Sequence, residues 1–256
     1  MKTSQPERWI ILPDVHLPRE DKAALAAVEA YMADHRWDGW VQLGDLIDFD
    51  ELSRWQDGNR RLDKTGAIEK SYSATRAFLD RHAAILRRKN PSCKMVLIEG
   101  NHEDRINKYL EKHPEGVGML EVPVALGLKA RTIQWVPFWT KGKMFKLGKC
   151  YIAHGRYTGG NHAKKHVEAY GVNTLYGHLH SIQSYSKRTL GNSETKEAAC
   201  IGCLCRYDMD YLRGGPTDWQ QGFCVVHVLP NGFFHRFQVR IFNGRFISPE
   251  GKEYGG

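Results

Sequence analysis

Five short polar motifs are strung along the chain, each directly after an apolar run of strand length. They are Asp14-Val-His16 after Trp9–Leu12, Gly44-Asp45-Leu-Ile-Asp48 after Gly39–Leu43, Gly100-Asn101-His102-Glu103 after Lys94–Ile98, His154-Gly155 after Met144–Ala153, and Gly177-His178-Leu-His180 after Asn173–Tyr176. Helix patterns separate the first three. Residues 20–35 place Ala and Val at helical spacing, and residues 65–89 are amphipathic, ending in Arg87-Arg88-Lys89 with Asn90-Pro91 as the stop. Strand–helix–strand–helix–strand order calls for right-handed crossovers and a largely parallel sheet. Ligands bind such sheets in the crevice beyond the carboxyl ends of the strands, so folding should gather the five motifs along one edge.

Beyond residue 130 the texture changes. Arg131–Phe138 reads as a further strand, His162–Tyr170 as a helix, and the chain from Ser181 onward as nearly all β. Gly222–Leu229 and Phe233–Phe242 form a hairpin through Pro230-Asn231-Gly232. The expectation is one α/β domain over residues 1–256, with the motifs in 14–180 and residues 181–256 completing a second sheet that faces the first. A length of 256 with 41% hydrophobic residues and seven Trp supplies a real core, and excludes a disordered, collagen-like or disulfide-scaffold chain.

The longest apolar runs fall well short of the ~18 residues of a membrane helix. MKTSQPERW has no apolar signal core, so a cytoplasmic protein with no membrane partner is expected. Cys93, Cys150 and Cys224 sit in or beside apolar runs and read as reduced, buried thiols. Cys200, Cys203 and Cys205 invite a zinc reading, but no second Cys pair or nearby His completes a set at familiar spacing, so a packed strand is expected. A formal charge of +8 favours polyanionic partners.

The residue types of the motifs match those of a dinuclear metal centre. Asp and His suit Mn, Fe or Zn, whereas Ca prefers oxygen alone. At a strand end Asp14 and His16, and likewise His178 and His180, would point to one side as i and i+2 of an extended chain. A carboxylate such as Asp45 can bridge two cations ~3.5–4 Å apart. Any one motif is more often a polar turn than a site. All five in this order, each after a strand, make chance a poor explanation.

Together the motifs resemble the calcineurin-like metallophosphoesterase superfamily, over the span from Asp14 to His180. The resemblance implies a four-layered αββα sandwich with two facing mixed sheets and the site at the strand ends. It assigns one metal to Asp14, His16, Asp45 and His180, and a second to Asp45, Asn101, His154 and His178, with Asp45 as the bridge. His102 corresponds to the family's substrate-facing acid histidine, and Asp48 to a carboxylate that orients it. The implied cofactors are two divalent ions, Mn first, with Fe, Zn, Ni or Co as the other choices. The implied activity is phosphoester hydrolysis by a metal-bridging hydroxide.

The family's protein phosphatases carry Arg after the second Asp of the Gly-Asp motif and before Gly-Asn-His-Glu. Here Phe49 and Glu99 stand in those places. Loss of that guanidinium grip on a dianionic phosphate, with Glu99 there to repel one, favours a phosphodiesterase acting on nucleic acid (DNA or RNA) or nucleotides. A phosphomonoesterase is the alternative, and a catalytically silent metal-binding module a more distant one. Glu103 agrees with the phosphatase branch rather than the repair nucleases. Arg105 and Arg156 are candidate substrate contacts, balanced against solvated loop residues. Trp135, Phe138 and Trp139 could stack on a base but read better as core. A third metal at Asn161, His162 and His166 is improbable on the same pattern. Substrate and oligomeric state stay open at this level.

Overall fold

The computed structural model of the protein describes residues 5–53, 64–190, 192–208, 215 and 217–256. The β-rich tail expected from Ser181 therefore lies in part, at 191, 209–214 and 216, outside the described residues.

The first half winds as its periodicity dictates. Strand β1 (Glu7–Leu12) leads into helix α1 (Lys22–Asp34), then β2 (Gly39–Gln42), α2 (Lys64–Lys89) and β3 (Lys94–Ile98). Asp21 caps α1, its carboxylate accepting from the Ala24 N–H at 2.9 Å. After β3 come α3 (Asp104–Lys112), a short α4 (Val122–Ala125) and β4 (Ile133–Val136). Strands β1 to β4 pair in parallel, in chain order.

The predicted strand 131–138 is shorter than expected. Pro137 lacks a ladder N–H, and the chain turns into a one-turn helix, α5 (Phe138–Lys141). The run Met144–Ala153 is not one strand but a hairpin, β5 (Phe145–Leu147) and β6 (Cys150–Ile152), folded at Gly148-Lys149. Helix α6 (His162–Tyr170), β7 (Asn173–Tyr176), β8 (Ile182–Thr189) and β9 (Asn192–Ile201) follow. The final hairpin is β10 (Gly222–Val228) with β11 (Phe234–Arg240), and a small ribbon of β12 (Phe246–Ile247) with β13 (Glu253–Tyr254) closes the chain.

The strands form two main sheets. One has six strands in the order β11-β10-β1-β2-β3-β4, the other five in the order β5-β6-β7-β9-β8. Both are mixed. Antiparallel β10 and β11 extend the parallel core of the first, so the largely parallel sheet expected from the amino-terminal half holds only for β1–β4. Alternation along the strands splits the apolar side chains into layers. Trp9, Ile11, Val41, Leu43, Val96 and Ile98 face Leu147, Cys150, Ile152, Leu175 and Ile201 of the second sheet. Ile10, Leu12, Trp40, Met95 and Leu97 face α1 and α2 on the other side. Val167 of α6 covers the outer face of the second sheet against Tyr176, Ala198 and Cys200. The result is an α/β fold in four layers, αββα. Among the described residues no helix is long and apolar enough to cross a membrane.

Cys93, Cys150, Cys200, Cys203, Cys205 and Cys224 are all buried free thiols.

Candidate metal centre

The five motif loops meet at one edge, where the two sheets come together. The backbone there is unusual. Among the described residues seven non-glycine positions have positive φ, and five of them are His16, Asp45, Phe49, His178 and His180. Left-handed backbone costs a side-chain-bearing residue ~1–2 kcal/mol, and its concentration in these loops marks them as built for side-chain placement. It also corrects the geometric expectation from sequence. His16, His178 and His180 are not in extended chain, so alternation does not aim them. His178 and His180 turn to opposite ends of the site.

At one end the His16 and His180 Nε2 atoms lie 3.1 Å apart, and His180 Nε2 lies 3.4 Å from Asp14 Oδ1. At the other, His154 Nε2 lies 3.1 Å from Asn101 Oδ1 and 3.2 Å from Asp45 Oδ2, with the His178 ring 5.0 Å from that of His154. Asp45 Oδ2 stands between, 3.8 Å from His16 Nε2 and 3.9 Å from His102 Nε2. Its Oδ1 is fixed by the His102 N–H at 2.9 Å. Asp14, His16, Asp45, His154 and His180 are essentially fully buried.

These donors fit cations. His154 Nδ1 donates to the Leu43 carbonyl at 2.9 Å, and His16 Nδ1 to Asp48 Oδ1 at 3.0 Å. With those protons committed, a neutral ring turns a bare Nε2 lone pair on the site, facing other lone pairs at about van der Waals contact or closer. A cation, or a proton shared between the rings, relieves that repulsion. Without a cation, protons serve. Burial alone would lower the His154 pKa, but Asp45 and Asp14 raise it to about 9. His180, likewise opposed by burial, is raised to about 10 by Cys205 and Asp14. Burial pushes the Asp45 carboxyl up, yet His154, His102 and His16 hold it well below the usual range. Among the described residues three sets of donors could hold an ion: Asp45, His154 and His178; His16, Asp45 and His102; and His16, His180 and Cys205.

His102 closes the second of these sets, its Nε2 3.9 Å from Asp45 Oδ2. Its Nδ1 donates to the Asp48 carbonyl at 2.7 Å and lies 3.1 Å from Asp48 Oδ1. Asp48 therefore touches both His102 and His16, where the sequence suggested His102 alone. Arg105, in the first turn of α3, reaches back to the Asp48 and Phe49 carbonyls at 2.9 and 3.3 Å and to His102 Nε2 at 3.1 Å. A guanidinium thus stands near the place where Phe49 appeared to leave none. Phe49 itself is buried. The Glu99 carboxylate is turned to Thr140, accepting from its N–H at 2.9 Å and its hydroxyl at 2.6 Å, and is engaged there. Arg156 is exposed and lies over the ring of Trp139. Trp135 and Phe138 pack in the core.

His162 and His166 spend their ring nitrogens on neighbours. His162 pairs with Tyr176 Oη at 2.7 Å and Ser181 Oγ at 2.9 Å, and His166 Nδ1 donates to the His162 carbonyl at 2.7 Å.

Sequence reasoning did not foresee the roles of two contributors. Glu103 is buried and accepts four backbone N–H groups, from Asp45, Leu46 and Gly100 at 2.8 Å and Ile47 at 3.1 Å, clamping two motif loops together. Burial, then Asp45, push its pKa up to about 7. Cys205 places Sγ 3.8 Å from His180 Nδ1, so the thiol cluster does have a histidine nearby, supplied from a distant part of the chain. The close approach of loops needs glycine at two positions: a Cβ on Gly177 would fall 2.0 Å from Asp14 Oδ2, and one on Gly100 2.2 Å from Asp45 Oδ1. The glycines were visible signals. The partners of Glu103 and Cys205 were not.

No protein-family model matches the chain. It is similar to the Gene 54 protein of Mycobacterium phage L5, 26% identical over 261 residues covering 94% of this chain and 96% of that one. The Gene 54 protein of Mycobacterium phage D29 is 24% identical over 255 residues, with the same coverage. Among solved structures, Vacuolar Protein Sorting 29 from Cryptosporidium parvum aligns over 99% of this chain and 100% of its own, with a TM-score of 0.51 and 10% identity. That likeness establishes the fold and nothing finer.

Proposed function

From its calcineurin-like metallophosphoesterase fold, we propose that the protein is a two-metal-ion phosphoester hydrolase acting on phosphodiesters of nucleic acid or nucleotides. The observation that carries this reading is the pair of buried donor sets meeting at Asp45 Oδ2. Asp14, His16, Asp45 and His180 would hold one ion, and Asp45, Asn101, His154 and His178 the other, Mn first among the candidates. When bound, such ions acidify a water and draw charge from the phosphate oxygens.

The chain's own residues do the rest. Glu103 and the Asp14 carboxylate, which accepts the His178 N–H at 2.9 Å, keep the loops in register before substrate arrives. His102 has its Nδ1 proton anchored on Asp48, so Nε2, which here meets Arg105 Nη2 at 3.1 Å, is the nitrogen facing the centre and would deliver a proton to the leaving oxygen once a bound phosphate draws the guanidinium away. Burial opposes protonation of that ring, but Asp45 and Asp48 raise its pKa overall. Asp48 aligns the rings of His16 and His102 together.

Arg105 supports a second reading. A guanidinium beside His102 offers the grip on a dianionic phosphate that a monoesterase needs. The two readings separate in one experiment. The chelated protein is assayed with and without added Mn²⁺ on a bis-aryl phosphate and the matching aryl phosphate. Diesterase activity predicts Mn²⁺-dependent turnover with kcat/KM favouring the diester. A strong preference for the aryl phosphate would establish the monoesterase, and full activity in excess chelator would remove the two-metal reading.

A further inference from the structure

Beside the His154–His178 end of the site lies an ordered ledge that the chemistry above leaves unused. The Trp139 ring is half-buried, its centroid 5.5 Å from that of His178 and 6.1 Å from that of His154. Over it lies the Arg156 guanidinium, Cζ 4.9 Å from the Trp139 centroid and 5.7 Å from that of Phe138. Arg156 is exposed, and among the described residues no carboxylate pairs with it. It is nevertheless tied at both ends. Nη2 donates to the Trp139 carbonyl at 2.7 Å, and its backbone N–H donates to His166 Nε2 at 3.0 Å. His166 is itself fixed by its bond to the His162 carbonyl and by stacking on Tyr176, with ring centroids 3.8 Å apart at 22°. Two buried histidines and a tyrosine thus hold the loop that carries one exposed, unneutralised arginine.

We infer that this ledge seats the base of a nucleotide whose phosphate lies at the metal centre, the base stacking on the outer face of the Arg156 guanidinium that Trp139 backs. The inference rests on the phosphoester reading for the phosphate and adds to it the place where the base of that substrate is held. Planar guanidinium groups and aromatic rings are the surfaces on which unpaired bases stack, tolerant of base identity. A lysine would supply the charge without the plane. Pre-tethering Arg156 removes part of the ordering cost that a free surface arginine would carry. Stacking of this kind contributes ~1–3 kcal/mol per base, or roughly 5- to 150-fold in affinity.

The test is calorimetric and needs no turnover. The Mn²⁺-loaded protein is titrated at fixed salt with AMP, the product type of such a diesterase, and with ribose 5-phosphate, which lacks the base. AMP should bind about tenfold tighter or better. Arg156→Ala and Arg156→Lys should each remove most of that advantage, and Trp139→Ala should weaken it. Equal affinity in the wild type, absence of binding by both ligands, or an advantage that survives Arg156→Ala would overturn the inference. So would equal weakening of both ligands by Arg156→Ala, which would make Arg156 a phosphate contact instead. Failure of Mn²⁺-dependent hydrolysis of a bis-aryl phosphate is a separate result. It would remove the phosphodiesterase reading while leaving the AMP to ribose 5-phosphate ratio readable.

Discussion

Replacing Glu103 by Gln changes few atoms and should have a large effect. The carboxylate splits its four donors evenly: one oxygen takes the N–H groups of Asp45 and Gly100, the other those of Leu46 and Ile47. An amide keeps only one acceptor. Whichever way it turns, an NH₂ group faces two backbone N–H groups that have no water to turn to, since Glu103 is 1% exposed. A buried donor left unmatched costs ~1–3 kcal/mol, so two give roughly 2–6 kcal/mol, and relief of the like charge on Asp45 offsets part of it. Against a total stability of ~5–15 kcal/mol the variant should still fold, with its urea midpoint well down and the m-value unchanged. Because the freed loops carry Asp45 and Asn101, metal retained after dialysis should fall as well. Glu103→Asp keeps charge and acceptors but is one methylene short, and should lie between. The measurement is urea unfolding in chelator, with metal analysis on a parallel sample. A Gln variant within ~0.5 kcal/mol of wild type, with full metal content, would refute the clamp.

Other outcomes follow from the same geometry. Asp48→Asn should lower both metal content and kcat, because Asp48 Oδ1 is 3.0 Å from His16 Nδ1 and 3.1 Å from His102 Nδ1; a loss in kcat alone would mean that it serves His102 only. His102→Ala should keep its metal and lose ~10²–10⁴ in kcat, more for poor leaving groups than for nitrophenolate, as read by paired aryl and alkyl esters. Gly177→Ala should eject the Asp14 carboxylate, which its Cβ would approach to 2.0 Å, and metal analysis should then find less than the wild-type content. His166 is held neutral, its pKa pushed down to about 4, chiefly by burial, from an ordinary 6.5. Its unfolded form binds a proton first as pH falls, so its contribution is intact above pH 6.5 and drains away toward pH 4; His166→Gln should flatten unfolding midpoints across that window.

The layered fold was legible because it is written in local periodicity. Alternating strands and helices predict β1 to β3 and the helices between them, and His162–Tyr170 forms the helix its pattern predicts. That the motif residues gather at one edge was legible because Asp, His and Asn stand at strand ends. What escaped was long-range. The clamp at Glu103 reaches 58 residues back to Asp45, and the Cys205 contact with His180 joins neighbours 25 residues apart. Arg105 was a candidate contact in the sequence, but its guanidinium comes beside His102 only because α3 winds it there, so an argument from missing arginines at two sequence positions undercounted the positive charge in the site. The hairpin at residues 145–152 was hidden because Gly148-Lys149 interrupts an apolar run too briefly to register.

The donors of the site come from both sheets. Asp14, His16, Asp45 and Asn101 follow strands of the six-stranded sheet, and His154, His178 and His180 follow strands of the five-stranded one. Each of the two proposed ion sites draws on both: His180 joins Asp14 and His16, while His154 and His178 join Asp45 and Asn101. Anything seated there is a rivet through two plates. Neither sheet alone carries all the donors of either ion site, and prying the plates apart must first draw the rivet. Occupancy would then govern how long the molecule survives as well as what it does, with the slowest escape from the native state gated by release at this seam.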